Sequence, residues 1–254
     1  MIDLPDFRPL LTNDFNDFTY LKKDHLAWLL ANGYDRAFHK RKLAMERCTV
    51  NHFLDMLVAI FIRQYIPKGC RLLEVGGGNS RVLAYYQNEY ECWNIDKLEG
   101  LGNGPTDLNR TMLPNVTLIR DYIGNFNKGL PDEYFDFVFS LSALEVNAED
   151  DPALFDNIID DLQRVLKPDQ FNLHCLNIVL RPGMARPSWA NPILRRMFQR
   201  IQTINTYLPL EELETRDDIF TLPKQVYDER MVRFTDERYE DFGLMTAYQV
   251  LWQK

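Results

Sequence analysis

"LLEVGGGNSRVL", residues 72–83, is the stretch that decides the fold. A short apolar run ends in an acid, three glycines follow, and a helix-compatible segment starts after Asn79 and Ser80. A strand, a turn of bare backbone and a helix let main chain approach a neighbour that any Cβ would block. The preceding Cys70 and Arg71 extend the strand, and "SRVLAYY" supplies the helix.

Outward from this point the chain alternates strand and helix. "YECWNI", "NVTLIR" at 115–120 and "FDFVFSL" at 135–141 read as a second, third and fourth strand. "DPALFDNIIDDLQRVL" is the clearest helix: Asp151 caps it, Pro152 suits its first turn, and Leu154, Phe155, Ile158, Ile159, Leu162, Val165 and Leu166 share one face. "KPDQ" ends it, and "FNLHCLNIV" at 171–179 is a fifth strand. Such alternation predicts an α/β fold, a doubly wound and mostly parallel sheet with helices on both faces. Residues 14–66 read as helical, with Phe15, Phe18, Leu21, Leu26, Leu29 and Leu30 in one stretch that "ANG" at 31–33 breaks, and Phe53 to Tyr65 in another. After "RPG" at 181–183, residues 192–214 look helical and "MTAYQVLWQK" reads as a late, antiparallel strand. The expected organisation is an N-terminal helical cap over 1–66, an α/β core over 67–180, and a substrate-side cover with the last strands over 181–254, as one structural unit.

Composition narrows the classes. A chain of 254 residues with 46% hydrophobic residues, 16 Phe and 12 Tyr has the means to bury a large core, which excludes intrinsic disorder. A net charge of −8 argues against nucleic acid as a partner. The short basic clusters "HKRK" at 39–42 and "LRR" at 194–196 read as solvated helix faces. Four cysteines without metal-ligand spacing, three of them in expected strands, read as reduced buried thiols of a cytoplasmic protein. The start "MIDLPDFRPLLTNDF" has no signal pattern, and no apolar run is long enough to span a membrane.

The glycine run has three candidate ligands. A dinucleotide fingerprint lacks its third glycine, because counting from Gly76 puts Arg81 there, and a P-loop lacks its Lys and Ser/Thr. Glu74 opposes both, since its carboxylate repels a pyrophosphate and attracts a positive charge. S-adenosylmethionine, with an ammonium and a sulfonium and no phosphate, fits. Asp96 closes the second strand 22 residues after Glu74, where an acid holds ribose hydroxyls. Asp121 closes the third, where an adenine amino group could donate to it.

The set "LLEVGGGNS", "NID", "RDY", "EYFDFVFSLSALEV" and "LQRVLKP" resembles the class I S-adenosylmethionine-dependent methyltransferases, in particular the small-molecule type, over about residues 67–180. The resemblance implies a Rossmann-like methyltransferase fold and a cofactor held by Glu74, Gly76, Gly77, Gly78, Asn79, Ser80, Asp96, Asp121, Tyr122 and Ser140. Tyr122 either packs on adenine or closes a strand. It also implies methyl transfer to an O or N nucleophile of a small-molecule acceptor. The rivals are a non-catalytic binding or scaffold protein of that fold and a protein methyltransferase. Leu144-Glu145-Val146 stands where the family often has Leu-Glu-His, and no catalytic base is evident. The family's "(N/D)PP(Y/F)" signature is absent, which disfavours methylation of bases or glutamine. Residues 97–114, rich in Gly and Pro, read as a loop beside the cofactor where the family has a helix.

Four further expectations concern side chains. Glu145 reads as solvated in the acidic loop "EVNAEDD". His174 reads as a core histidine, whereas His25, His39 and His52 read as exposed. Phe15, Phe18, Tyr20, Trp28, Tyr34 and Phe38, with Trp189, Phe198, Tyr207 and Phe220, are expected to contribute to a closed, mostly apolar acceptor pocket. Valine at Gly76 or Gly78 is expected to block the cofactor and spare the fold.

Overall fold

The computed structural model describes residues 14–101, 104–147, 152–181, 191–235 and 237–254. Asp151 and Trp189, singled out above, lie outside them, as do Gly102 of the 97–114 loop and most of "RPG". Six strands form one sheet: β1 (Arg71–Val75), β2 (Glu91–Ile95), β3 (Val116–Ile119), β4 (Phe135–Leu141), β5 (Leu166–Leu180) and β6 (Leu244–Gln253), in the order β3-β2-β1-β4-β5-β6. All neighbours run parallel except β6, which pairs antiparallel with β5 from Leu244↔Leu180 to Gln253↔Phe171. The chain steps outward from β1 to β3 and then returns to β4 on the other side of β1. That reversal opens a crevice beyond the C-terminal ends of β1 and β4.

Side chains of the parallel strands enter two cores, one on each face. Phe137 and Phe139 of β4 point towards α3 (Val50–Tyr65) and α4 (Arg81–Tyr86), and Val138 points towards α5 (Pro152–Val165) and α6 (Asn191–Arg200). The α5 face predicted from periodicity is the buried one, with Phe155, Ile158, Ile159, Leu162 and Val165 all inside. Helix α3 is apolar almost all round because it lies between the sheet and α1 (Lys23–Ala31) and α2 (Tyr34–His39). Leu26, Leu29 and Tyr34 are fully buried, so the N-terminal helices are part of the core. Among the described residues no helix is long and apolar enough to cross a membrane.

Three local readings change. Phe15 to Leu30 is not one helix: a 3-10 turn covers Phe15–Phe18, Tyr20 bridges to Tyr248 and Lys22 to Ile219, and α1 begins after Lys22. Tertiary pairing with β6 overrides the local periodicity there. The "KPDQ" segment is a register irregularity inside β5, where Leu166 pairs with Phe135 and Phe171 with Phe137, and Asp169 takes a left-handed φ of 60°. Helix α6 ends at Arg200, and Thr203 then bridges to Trp252, which breaks the helix expected over 192–214.

Candidate functional site

A cleft of about 530 Å³ lies at the strand reversal and is bounded by the glycine turn, the ends of β2 and β3 and the start of α3. The turn is held from below. Gly77 N donates to Asn94 Oδ1 at 3.1 Å, Asn94 Nδ2 donates to the Gly78 carbonyl at 3.0 Å, and Gly78 N donates to Asp96 Oδ2 at 2.8 Å. Asn94 is fully buried, so the strand next to β1 clamps the turn. Gly76 and Gly78 have φ of 66° and 50°, where side chains are strained. A Cβ on Gly76 would overlap the Ala143 methyl, and one on Gly77 or Gly78 would come within 2.8 Å of Glu74 Cδ or Pro105 Cδ. The bare backbone makes room first for the protein itself, so the expectation that valine here spares the fold does not hold.

Glu74 lies under the turn with 2% of its surface exposed, and the Ser80 hydroxyl donates to its Oε2. Burial pushes its pKa up to about 8, with the Ser80 bond opposing. Ser80 also caps α4 by accepting from Leu83 N at 3.0 Å. Asn79 lines the cleft and accepts from Asn109 N at 2.7 Å, which ties the 97–114 loop to the turn. Asp96 accepts from Gly78 N and, at 2.7 Å, from Leu98 N, and each oxygen keeps a lone pair for a further donor.

Asp121 is braced by Tyr122 N at 2.8 Å, Asn125 Nδ2 at 2.6 Å and Asn127 Nδ2 at 2.7 Å. These bonds hold its carboxyl below the usual range against partial burial. Tyr122 donates to Glu99 at 2.7 Å on the cleft's outer side. Nine of the ten expected residues therefore meet in one cavity. Ser140 does not: it is fully buried, and its hydroxyl is 2.8 Å from His174 Nδ1, behind the cleft. Period-two alternation at the end of β4 turns it into the sheet.

Helix α3 adds groups that no motif announced. Asn51 and Asp55, one turn apart, line the cleft. Asn51 Oδ1 accepts from Ser142 Oγ at 3.0 Å, where Ser142 has a left-handed φ of 55°. Arg81 Nη1 donates to Asp55 Oδ2 at 2.7 Å, and burial still pushes Asp55 up to about 6 against that cation. An (i, i+4) spacing of Asn and Asp at a helix start was the available signal, but it is too common to read.

Several expected side-chain roles change. Glu145 is 5% exposed and accepts from Asn177 N at 3.1 Å, and burial pushes it up to about 7. His25, His39 and His52 are all shielded, and burial depresses each of them. His174 is buried as expected, and burial holds it at about 3. Of the aromatic set, Phe18, Tyr20, Tyr34 and Phe220 are core, and Tyr207 is half exposed. The cleft is acidic and polar rather than an apolar chamber.

No family model matches the chain, and no curated protein matches it in sequence. Solved structures do match in shape. A putative sarcosine dimethylglycine methyltransferase from Galdieria sulphuraria is 12% identical with a TM-score of 0.50, covering 89% of this chain and 98% of that one. The fold is that of the class I S-adenosylmethionine-dependent methyltransferases. A TehB-like S-adenosylmethionine-dependent methyltransferase from Corynebacterium glutamicum is 12% identical, with a TM-score of 0.47 over 91% of this chain and 99% of that one. Geranyl diphosphate C-methyltransferase from Streptomyces coelicolor is also 12% identical, with a TM-score of 0.48 over 80% of each chain. In this class I fold the crevice sits at the strand reversal, where Glu74, Asp96 and Asp121 converge.

Proposed function

We propose that the cleft binds S-adenosylmethionine and that the protein transfers its methyl group to an O or N nucleophile of a small molecule. The observation that carries this reading is the convergence of three acids from three strand ends in one cavity. Glu74 lines the cleft, where a cofactor ammonium would draw off the proton that burial holds on it, Asp96 keeps two lone pairs that would serve ribose hydroxyls, and Asp121 stays ionised and would accept from an adenine amino group. The bound cofactor would supply an electrophilic methyl on its sulfonium. The chain's part is to position the acceptor and take its proton. Asp55 is suited to that second role, because it lines the cleft, titrates at about 6 and has one oxygen fixed by Arg81.

Calorimetry with S-adenosylmethionine and S-adenosylhomocysteine tests the reading. Asp96→Asn keeps an acceptor for Gly78 N while removing the charge, and it should weaken binding by roughly 10- to 100-fold, about 1.5–3 kcal/mol for a charged hydrogen bond. A folded Asp96→Asn protein with unchanged affinity removes Asp96 from the site. Absence of binding to the unmodified chain favours the non-catalytic scaffold.

A further inference from the structure

The basic stretch "HKRK" is solvated, with Lys40, Arg41 and Lys42 exposed, but α2 ends at His39, so it is the turn after a helix rather than a helix face. His39, Lys40 and Arg41 border a second cavity of about 650 Å³, between the end of α2, the start of α3 and one face of α4. Arg81, Ala84 and Tyr85 come from that α4 face, and Met112 closes the cavity from the 97–114 loop. No Asp or Glu is among its described lining residues, although the chain carries 37 of them against 29 Lys and Arg. The cavity has two textures. Lys40, Arg41 and Arg81 bring positive charge, while Ala37, Phe38, Ala84, Tyr85 and Met112 give apolar and aromatic surface, with the Phe38 and Tyr85 rings 4.6 Å apart.

One donor is left over in its wall. Thr49 caps α3 by accepting from His52 N at 3.0 Å, and the His52 ring completes the capping box, its Nδ1 accepting from Thr49 N at 3.2 Å. An accepting Nδ1 assigns the ring proton to Nε2. That Nε2–H has no hydrogen-bond partner among the described residues and is not sealed from solvent, and His52 lines the cavity. The His39 ring lies 4.5 Å away and donates through Nε2 to the His52 carbonyl at 3.1 Å, while its Nδ1 lies 3.9 Å from Asp55 Oδ2. Arg41 also makes no ion pair among the described residues. An unspent N–H in the cavity wall, beside Lys40, Arg41 and an aromatic wall, suits an acceptor oxygen on a molecule with apolar body.

We propose that this cavity binds a small organic anion, a carboxylate or phosphate monoester on an aromatic or apolar body, with its oxygens on His52 Nε2–H and Arg41 and its body against Phe38, Tyr85 and Met112. The site is separate from the cofactor cleft and does not depend on the methyltransferase reading. Phenyl phosphate and phenylacetate are the probes, titrated into the full chain by calorimetry, and benzyl alcohol is the neutral control. At least one anion binds and benzyl alcohol does not; which anion binds more tightly distinguishes phosphate from carboxylate. Arg41→Met and Lys40→Met weaken binding, the first by roughly tenfold. His52→Glu keeps a capping-box side chain at this position, preserving α3, and abolishes anion binding. Affinity for S-adenosylhomocysteine, measured in the same samples, reports separately on the cleft. Equal binding of benzyl alcohol, no binding of either anion, or anion affinity unchanged in both Arg41→Met and His52→Glu overturns the proposal.

Discussion

Two cavities share the wall made by Arg81, and they carry opposite charge. Among the described lining residues, the cleft at the strand reversal gathers Asp55, Glu74, Asp96, Glu99 and Asp121 against two cations, while the cavity beyond α4 has cations and histidines without an acid. A net charge of −8 describes neither. The cleft suits donors and positive charge, and its neighbour suits acceptors and negative charge. The contrast teaches that charge is sorted by site over a single α-helical turn: Asp55 faces one cavity and His52, three residues earlier, faces the other.

Backbone constraint differs as strongly as charge. Gly76, in the cleft, combines a φ of 66° with an Ala143 methyl where its Cβ would stand, whereas Gly33, just before α2, has a φ of 80° and nothing within 4 Å. Gly76→Val should therefore cost about 3–5 kcal/mol, adding left-handed strain to overpacking. Gly33→Ala should cost about 1 kcal/mol from φ alone. Urea denaturation of both variants measures the gap. Equal costs would mean that the turn relaxes away from Ala143 and that the cleft is no more tightly built than the helical layer.

The two regions should also respond to pH in opposite directions. Glu74 has its folded pKa raised to about 8, so its contribution is present below the unfolded value near 4.5 and is lost as pH rises through 8. His39 and His52 are lowered to about 4 and about 3, so their contribution is present above 6.5 and is lost as pH falls towards the folded values. Stability should fall on both sides of a maximum near neutrality. Glu74→Gln removes only the alkaline limb, by roughly 3 kcal/mol between pH 5 and pH 8. Thermal melts across that range check it, and an unchanged alkaline limb would show that Glu74 is ionised in the folded protein. A cationic ligand beside Glu74 should draw the proton off, so cofactor affinity should rise with pH up to about 8.

What the sequence revealed follows from the same contrast. The cleft is made of strand ends and the turn after β1, and Glu74, Asp96 and Asp121 each close an apolar run that announces its own position. The second cavity has no such grammar. Its residues come from α2, α3, α4 and a loop, and only the fold brings His39 beside Tyr85 and Met112. "HKRK" reads as a helix face and is exposed as expected, but Lys40, with its left-handed φ of 57°, ends α2 and turns the chain towards the cavity, a conformation that no local pattern demanded. His52 was hidden by its chemistry, since a capping box is sought as Glu or Gln three residues after Thr, and here an imidazole fills that place. Glu145 was misread for a related reason, because the acidity of its neighbours suggested solvent while the turn after β4 carries it inward. Ser140 shows the limit of a motif, which fixes a strand but not the face on which each side chain lands.

Arg81 is where the comparison can be tested with the least disturbance. It borders both cavities, pairs with Asp55, and is nearly half exposed, so its removal should be mild. In the acidic cleft, Asp55 and Arg81 together carry no net charge near pH 7. Burial holds the carboxyl near 6 even with that cation lowering it, so without the guanidinium it rises further, takes up a proton and again leaves no net charge. Affinity for S-adenosylhomocysteine in Arg81→Met should therefore stay within about twofold. The second cavity keeps the same net charge but loses the Arg81 guanidinium as a direct donor, and affinity for the organic anion should fall by roughly three- to fivefold, the size expected for a partly exposed charge contact. Methionine keeps the apolar stem, so packing along α4 is preserved. Calorimetry with both ligands on one sample reads the split directly. A parallel fall in the two affinities would mean that the cavities act as one site, with Arg81 a binding group common to both rather than the partition between them.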